Sequence, residues 1–570
     1  MSSEQLSHSQ PDLITKDAYH RPHRFVSIDF LRGMGIWTML FLHGLMRVYD
    51  LSWTNNSAQI SEARIIMFAL LLIVLYAGGW CGFFLLISAI GNMISMQKQV
   101  QRGGSVSELV LKQVVKGLIL LVFAFLTEST MGYQGYMGSV VVGQFSNWSK
   151  ILYRGYHMET IHTVAWCIIL NGIVQGFLVM KGGYQKTKRN ILIYAVLSVL
   201  VIVLTTSAWN LADFIIPGYP FATYEGVGRI VQYPLEGVSS FGDYILLIFL
   251  MPLAGVVEPV FPFLAVSFIG SIIGLLMMEK NPSEKFPRIG ILISIPVILI
   301  GLVGVGVAIA TGTQDIEVFL GNTYNLPRLG VWFWWFLVLT GSQVLATLIF
   351  IRLIEFRGKA VPFAQKTLYI RKFGFIAFTI YNYQYIDVIP RAFISLIPGV
   401  NAITSRVNGN LTLLVLGGIY LTWWGVMWLW EKVNYVGGME WMIAVITRAI
   451  LPREKYKNTD KSITKTKPKW WQVDRMNVRG ILYDAQWINI IPPEKVDHAN
   501  MKDSKLAYKL SFLGIFVVIL AFFALDVAIE SRATEGKNKY NTRAIIICIF
   551  SFVLFLTGFL ALTFTTGLVL

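Results

Sequence analysis

Long apolar runs, separated by short charged or turn-rich segments, dominate the pattern of this chain. A helix needs about 20 apolar residues to cross a bilayer. Runs of that kind fall at 33–49, 79–97, 113–132, 158–180, 190–209, 259–278, 288–311, 331–351, 373–393, 411–430, 507–528 and 544–569. The pattern predicts an all-α, polytopic membrane helix bundle of about twelve spans, within a range of about ten to thirteen. Two stretches, 64–96 and 243–278, are too long for one span and too short for two. Gly78, Gly79 and Gly82 break the first, and Pro252, Pro259 and Pro262 break the second. Their first parts read as short helices, interfacial or buried, because irregular backbone at membrane depth needs protein or a water-filled cavity around it. Residues 1–24 are polar, with no apolar signal segment, and read as a tail. A transmembrane core is expected over 25–450, then a basic insert at 451–506 carrying Trp470, Trp471 and Trp487, then a closing helix pair in 507–570.

Composition narrows the class. Of 570 residues, 55% are hydrophobic and only 14% are charged. Soluble domains carry about a quarter charged residues, so a water-soluble enzyme is excluded. Cys81, Cys167 and Cys548 each sit in an apolar run, which rules out a disulfide scaffold or a thiolate zinc cage. The net charge of +16 is explained by the loops. With the N-terminus inside, one face receives Lys98, Arg102, Lys112 and Lys116, then Lys181, Lys186, Lys188 and Arg189, and later Arg352, Arg357, Lys366, Arg371 and Lys372. The opposite loops carry only isolated cations such as Lys150, Arg229, Arg328 and Arg406. The bias predicts both termini in the cytoplasm of a multi-pass cell-membrane protein, and it accounts for the basic excess without nucleic acid. Sequons at Asn55, Asn147 and Asn410 fall on the outer side at a chance frequency. No transporter-like internal repeat is visible.

The first span carries the densest chemistry: Arg24-Phe-Val-Ser-Ile-Asp29-Phe-Leu-Arg32-Gly33, then His43. Eleven steps separate Arg32 from His43. At 3.6 residues per turn that is about 20° past three turns and about 16 Å along the axis, so both share one helix face. An intramembrane histidine is a functional residue by default, the plain alternative being a neutral imidazole bonded to a neighbouring carbonyl. Arg32 either meets a ligand at the cytoplasmic rim or snorkels and pairs with Asp29. Ser27 reads as the helix N-cap.

These residues bear a family likeness. Arg, ten residues, His at the start of the first span resembles the signature of the transmembrane acyltransferase-3 family. Ser27-Ile-Asp-Phe-Leu-Arg-Gly33 resembles the opening of the related heparan-α-glucosaminide N-acetyltransferase branch. Gly82-Phe-Phe-Leu-Leu-Ile-Ser88-Ala-Ile-Gly91, Glu258-Pro-Val-Phe-Pro-Phe263, Gly374-Phe-Ile-Ala-Phe-Thr-Ile-Tyr-Asn382-Tyr383 and Tyr435-Val-Gly-Gly-Met-Glu440-Trp441 resemble later family segments, in the same order. Gly438 stands where the family has proline, and nothing in 451–570 resembles it. The likeness implies a bundle that moves an acyl group from cytoplasmic acyl-CoA to a saccharide or glycolipid hydroxyl or amine. Arg32, Ser88, Arg371 and Lys372 are the expected acyl-CoA site. His43 is the expected general base, or else a nucleophile in a ping-pong route, with direct transfer the working expectation.

Other candidates carry two readings each. Asp29, Glu159 and His162 are expected to assist His43; Glu159 and His162 are three apart on one helix face and otherwise form an interfacial pair. With His157 they mimic a metal cluster too weakly for a metal to be expected. Glu258 reads as a buried carboxylate or as a cap for the helix at Pro259. Asn382, Glu258 and Glu440 are the expected acceptor contacts; Asn382 otherwise links helices, and Glu440 otherwise pairs with a cation such as Arg448. Acetyl-CoA as donor, membrane lipids and a saccharide or glycolipid acceptor are the expected partners, with a homodimer left open. The competing function is a secondary transporter or flippase, with His43 and Glu258 on a proton path. A third idea makes 451–570 a docking module.

Overall fold

The computed structural model describes residues 25–50, 74, 76–132, 135–141, 155, 159–215, 241–255, 258–279, 282–323, 325–357, 360–451 and 501–566. Among them the chain is all-helical, with a single isolated bridge, Tyr49 to Val407, in place of any sheet. It divides into two compact units, one of residues 1–352 with 360–489 and one of 353–359 with 490–570.

In the first unit, α1 spans Val26–Val48, α2 Gly82–Gln101, α3 Val106–Leu126, α4 Thr160–Val179, α5 Thr187–Ile215, α6 Phe241–Ala254 and α7 Val260–Met277. Then follow α8 Lys285–Ala310, α9 Trp332–Glu355 (its last three residues counted with the second unit), α10 Leu368–Phe375, α11 Ala377–Asn382, α12 Val388–Ile394, α13 Gly409–Glu431 and α14 Met439–Ile450. Eight helices among the described residues are long and apolar enough to cross a membrane, namely α2 to α5, α7 to α9 and α13, some with short extensions. The other four expected spans take different forms. The first is α1, a 23-residue helix carrying Asp29, Arg32, His43 and Arg47, too polar to be one of the eight. The run 373–393 is not one helix but α10, α11, a 3₁₀ turn at Gln384–Asp387, and α12.

Burial separates centre from rim. Some 78% of the apolar stretch of α7 is buried, against 22% for α5 and α8. Lipid is as apolar as leucine, so helices in a bilayer associate through small residues and shared polar groups. On α4 these occupy two faces. Gly172 and Gly176 receive Gln113 and Val110 of α3, while Asn171 donates to Ser267 Oγ and Ser271 Oγ of α7 at 2.9 Å each. On α7, Gly270 and Gly274 let α2 approach at Leu86 and Met93.

Helix α1 meets α10 through a close backbone approach at two glycines. A Cβ on Gly33 would fall on the Ile370 carbonyl, and one on Gly374 would lie 2.6 Å from Gly33 N and 2.9 Å from Asp29 O. Beside this contact Asp29 pairs with Arg371 at 3.7 Å. On its other side α1 meets α13, where Trp37 stacks on Tyr420 at 4.7 Å and the Tyr420 hydroxyl donates to Trp37 O. Ser27 is not the cap: the helix already starts at Val26, with Phe25 in the cap position and no side-chain cap bond.

The second unit holds three helices, Lys502–Phe516, Val518–Thr534 and Lys539–Thr566, where a pair was expected. Extended Val517 (φ −127°, ψ 92°) breaks the run. Ala507, Ala528 and Ala544 are fully buried together, and the Glu535 carboxylate accepts from Asp503 N and Ser504 N at the first helix start. Most of the expected insert, 452–500, lies outside the described residues.

Candidate functional site

One stripe of α1, Arg32, Gly35, Met39, His43 and Arg47, lines a single cavity of about 1090 Å³. The spacings of three and four keep these positions on one face, and fifteen residues carry the stripe over roughly 22 Å. At one end the Arg32 guanidinium lies against Gly91 of α2, where a Cβ would stand 3.4 Å from Nη2. Ser88 and Asn92 of α2 and Lys116 of α3 line the same region, and Lys116 is close enough to Arg32 to feel its charge. This end is basic.

His43 lies eleven residues further along. Its Nδ1 is 2.8 Å from Gln384 Oε1, and Gln384 Nε2 donates to Tyr381 O at 3.0 Å. The second bond turns the amide so that its oxygen faces the imidazole. That assigns the proton to Nδ1 and the basic lone pair to Nε2. One turn beyond, Arg47 Nε donates to His43 O, Arg47 Nη2 donates to Gln384 O, and the guanidinium pairs with buried Asp387 at 3.0 Å. Asp387 is also 4.0 Å from Arg391. The break between α11 and α12 therefore supplies both the partner of His43 and an ion-pair cluster. Irregular backbone at this depth is covered as it must be, by protein and a cavity.

Besides Asp387, three glutamates reach the cavity wall: Glu159, Glu258 and Glu440. Glu258 precedes α7; its Oε1 accepts from Thr160 at 2.9 Å, and the Cys81 thiol faces the same carboxylate. Glu159 is the residue before α4, near enough to Glu128 and Glu258 for their charges to oppose its own. Glu440 is a clasp: it accepts from Phe378 N at 2.6 Å, Thr379 N at 3.3 Å and the Thr379 hydroxyl, tying α14 to the start of α11. Burial of the Glu440 carboxylate is offset by the donors it holds.

The remaining expected site residues lie off the cavity wall. Asp29 and Arg371 hold each other, and Lys372 pairs with Glu431 at 2.8 Å. Asn382 accepts from the Thr127 hydroxyl and donates to Phe378 O, so it links α11 to the π-helical turn Thr127–Met131 that ends α3. His162 contacts Gly155 O through Nε2 at 3.2 Å, away from His43. His157 lies outside the described residues. Among the described residues no group of three or more His, Cys, Asp or Glu is arranged to hold a metal ion.

Arg47, Glu128, Gln384, Asp387 and Arg391 join the site without having stood out in the sequence, and Lys116, expected as a loop cation, lies within α3. A signal was there. Gln384, Asp387 and Arg391 recur at three and four residues inside an apolar run, as a polar face would. Glu128, which accepts from the Tyr381 hydroxyl at 3.1 Å, has no such pattern. No protein-family model and no curated protein matches the chain.

Proposed function

We propose that the protein is an integral membrane acyltransferase that moves an acyl group, acetyl in the simplest case, from cytoplasmic acyl-CoA to a saccharide or glycoconjugate hydroxyl or amine. One observation carries this reading: Arg32 and His43 open onto one cavity from a single helix face, with the basic nitrogen of His43 assigned by Gln384. The Arg32 and Lys116 end suits the phosphates of CoA, which arginine binds through paired hydrogen bonds. A pantetheine arm leads from there along the stripe toward His43. Nε2 takes the proton of the acceptor as its oxygen or nitrogen attacks the thioester carbonyl. The tetrahedral adduct then collapses, the C–S bond breaks, and His43 returns the proton to the departing thiolate. Direct transfer needs donor and acceptor bound at once. At about 1090 Å³ the cavity exceeds the roughly 300–1,000 Å³ of small-ligand pockets, room for donor and acceptor together.

In this reading the protein sits in the cell membrane with both ends cytoplasmic. α1, the broken segment and two crossings in the second unit bring the eight apolar helices to twelve. A second reading, a secondary transporter, draws on the broken α10 to α12 segment, since discontinuous helices build transporter sites. Reconstituted protein given acetyl-labelled acetyl-CoA separates the two. The acyltransferase reading expects label on an added acceptor or released as acetate, with His43→Gln losing it. Uphill movement of a saccharide across the vesicle wall, with the thioester intact, would establish the transporter instead.

A further inference from the structure

The cavity has a second basic end, which the donor does not need. Arg47, Arg391 and Arg406 all line it, and Asp387 lines it among them. Asp387 is shared, at 3.0 Å from Arg47 and 4.0 Å from Arg391. Arg391 spends much of its fork on the following loop, donating to Ala402 O at 2.6 Å and Ile403 O at 2.5 Å. Those bonds fix the turn that presents Thr404, Ser405 and Arg406 to the cavity. The Arg406 side chain is exposed and makes no ion pair or hydrogen bond among the described residues. Two hydroxyls, of Thr404 and Ser405, share that stretch of the lining with the Arg406 guanidinium.

Building on the acyl-transfer reading, we propose that this end binds an oxyanion of the acceptor, a phosphate or a carboxylate. Arginine forks and hydroxyl donors match that geometry, and a charge-assisted bond in a partly desolvated wall is stronger than a neutral one. The site also sets a distance. Arg47 is four residues beyond His43, about 6 Å along the helix. The hydroxyl or amine that receives the acyl group thus lies roughly five bonds from the charged group, since an extended chain advances about 1.3 Å per bond. The acceptor is an anionic saccharide or a phosphate-linked glycolipid rather than a neutral sugar.

The test uses full-length protein in nanodiscs of zwitterionic lipid. Glycerol, glycerol 3-phosphate and 4-hydroxybutyrate serve as acceptors with saturating acetyl-CoA, and dodecyl phosphate serves as a membrane-borne phosphate. The proposal expects kcat/KM for glycerol 3-phosphate or 4-hydroxybutyrate to exceed that for glycerol by about tenfold, the scale of one charge-assisted hydrogen bond. Arg406→Gln, on an exposed turn, should bring the charged acceptors down to the level of glycerol. A binding arm needs no turnover: glycerol 3-phosphate or dodecyl phosphate should raise the melting temperature, and Arg406→Glu should remove the rise. A rise with dodecyl phosphate alone assigns the site to a lipid-linked phosphate, and one with glycerol 3-phosphate assigns it to a soluble group. Acetyl transfer with no anion preference and no melting shift overturns this proposal and leaves the acyltransferase intact. A melting shift without any acetyl transfer supports the oxyanion site and removes the acyltransferase. If Arg406→Gln raises the KM for acetyl-CoA while the anion preference persists, this end holds the donor and the proposal fails.

Discussion

Replacing Gly374 by alanine tests whether the contact of α1 with α10 sets the position of the cavity stripe. The new Cβ would stand 2.6 Å from Gly33 N, 2.9 Å from Asp29 O and 3.1 Å from Arg32 C. All three are backbone atoms, so no side chain can swing away. Restoring 3.0 to 3.4 Å requires the helices to part by 0.4 to 0.8 Å (3.0 − 2.6 and 3.4 − 2.6). Overpacking of this kind costs about 1–3 kcal/mol, and alanine's better helix propensity returns at most about 1 kcal/mol. The net expectation is a loss of roughly 1–2 kcal/mol. Since α1 carries Arg32 and His43, the same shift should slow acetyl transfer roughly tenfold, a full 1 Å misplacement costing up to about 10²-fold. Gly417→Ala on α13 is the control, because a Cβ there meets nothing within 4 Å. It should leave stability unchanged or raise it by up to about 1 kcal/mol. Thermal unfolding and acetyl-CoA turnover in nanodiscs read both. A Gly374→Ala protein that melts with or above Gly417→Ala would refute the close-approach argument.

Gln384→Leu should lower kcat by about 10–100-fold with little change in the KM for acetyl-CoA, since it removes the group that orients the base and not one that binds donor; steady-state kinetics checks the split. Arg371→Met removes the guanidinium 3.7 Å from buried Asp29 and should cost up to about 3–5 kcal/mol, whereas Arg371→Met with Asp29→Asn should recover much of that loss in the same melting assay. Asn171→Leu removes the bonds to Ser267 and Ser271, yet polar links between membrane helices average only about 0.6 kcal/mol, so a loss near 1 kcal/mol is expected by thermal unfolding.

Legibility followed periodicity. The Arg32 and His43 stripe was readable because a regular helix converts spacing directly into direction, and α1 is regular from Val26 to Val48. The eight apolar helices were readable because length and apolarity are local properties. The segment 373–393 misled because apolarity does not report backbone continuity. It reads as one span yet breaks after Phe375 and again after Asn382, and the polar side chains that line the cavity sit at and beyond those breaks. Pairings between distant segments left no trace in any single stretch. Asp29 is near Arg32 in sequence but pairs with Arg371, and Glu440 reaches back to α11. Glycines were visible as punctuation, but only the meeting of Gly33 with Gly374 explains why two of the quoted segments need them.

The central claim, a donor-binding guanidinium and a proton-accepting imidazole on one wall, is tested most directly by comparing Arg32→Ala with His43→Ala. Acetyl-CoA affinity and single-turnover rate are measured for each in nanodiscs. The account predicts that Arg32→Ala weakens acetyl-CoA binding at least about tenfold while bound donor still reacts, and that His43→Ala binds acetyl-CoA normally but does not transfer the acetyl group. Normal turnover in His43→Ala, or unchanged acetyl-CoA affinity in Arg32→Ala, would contradict it.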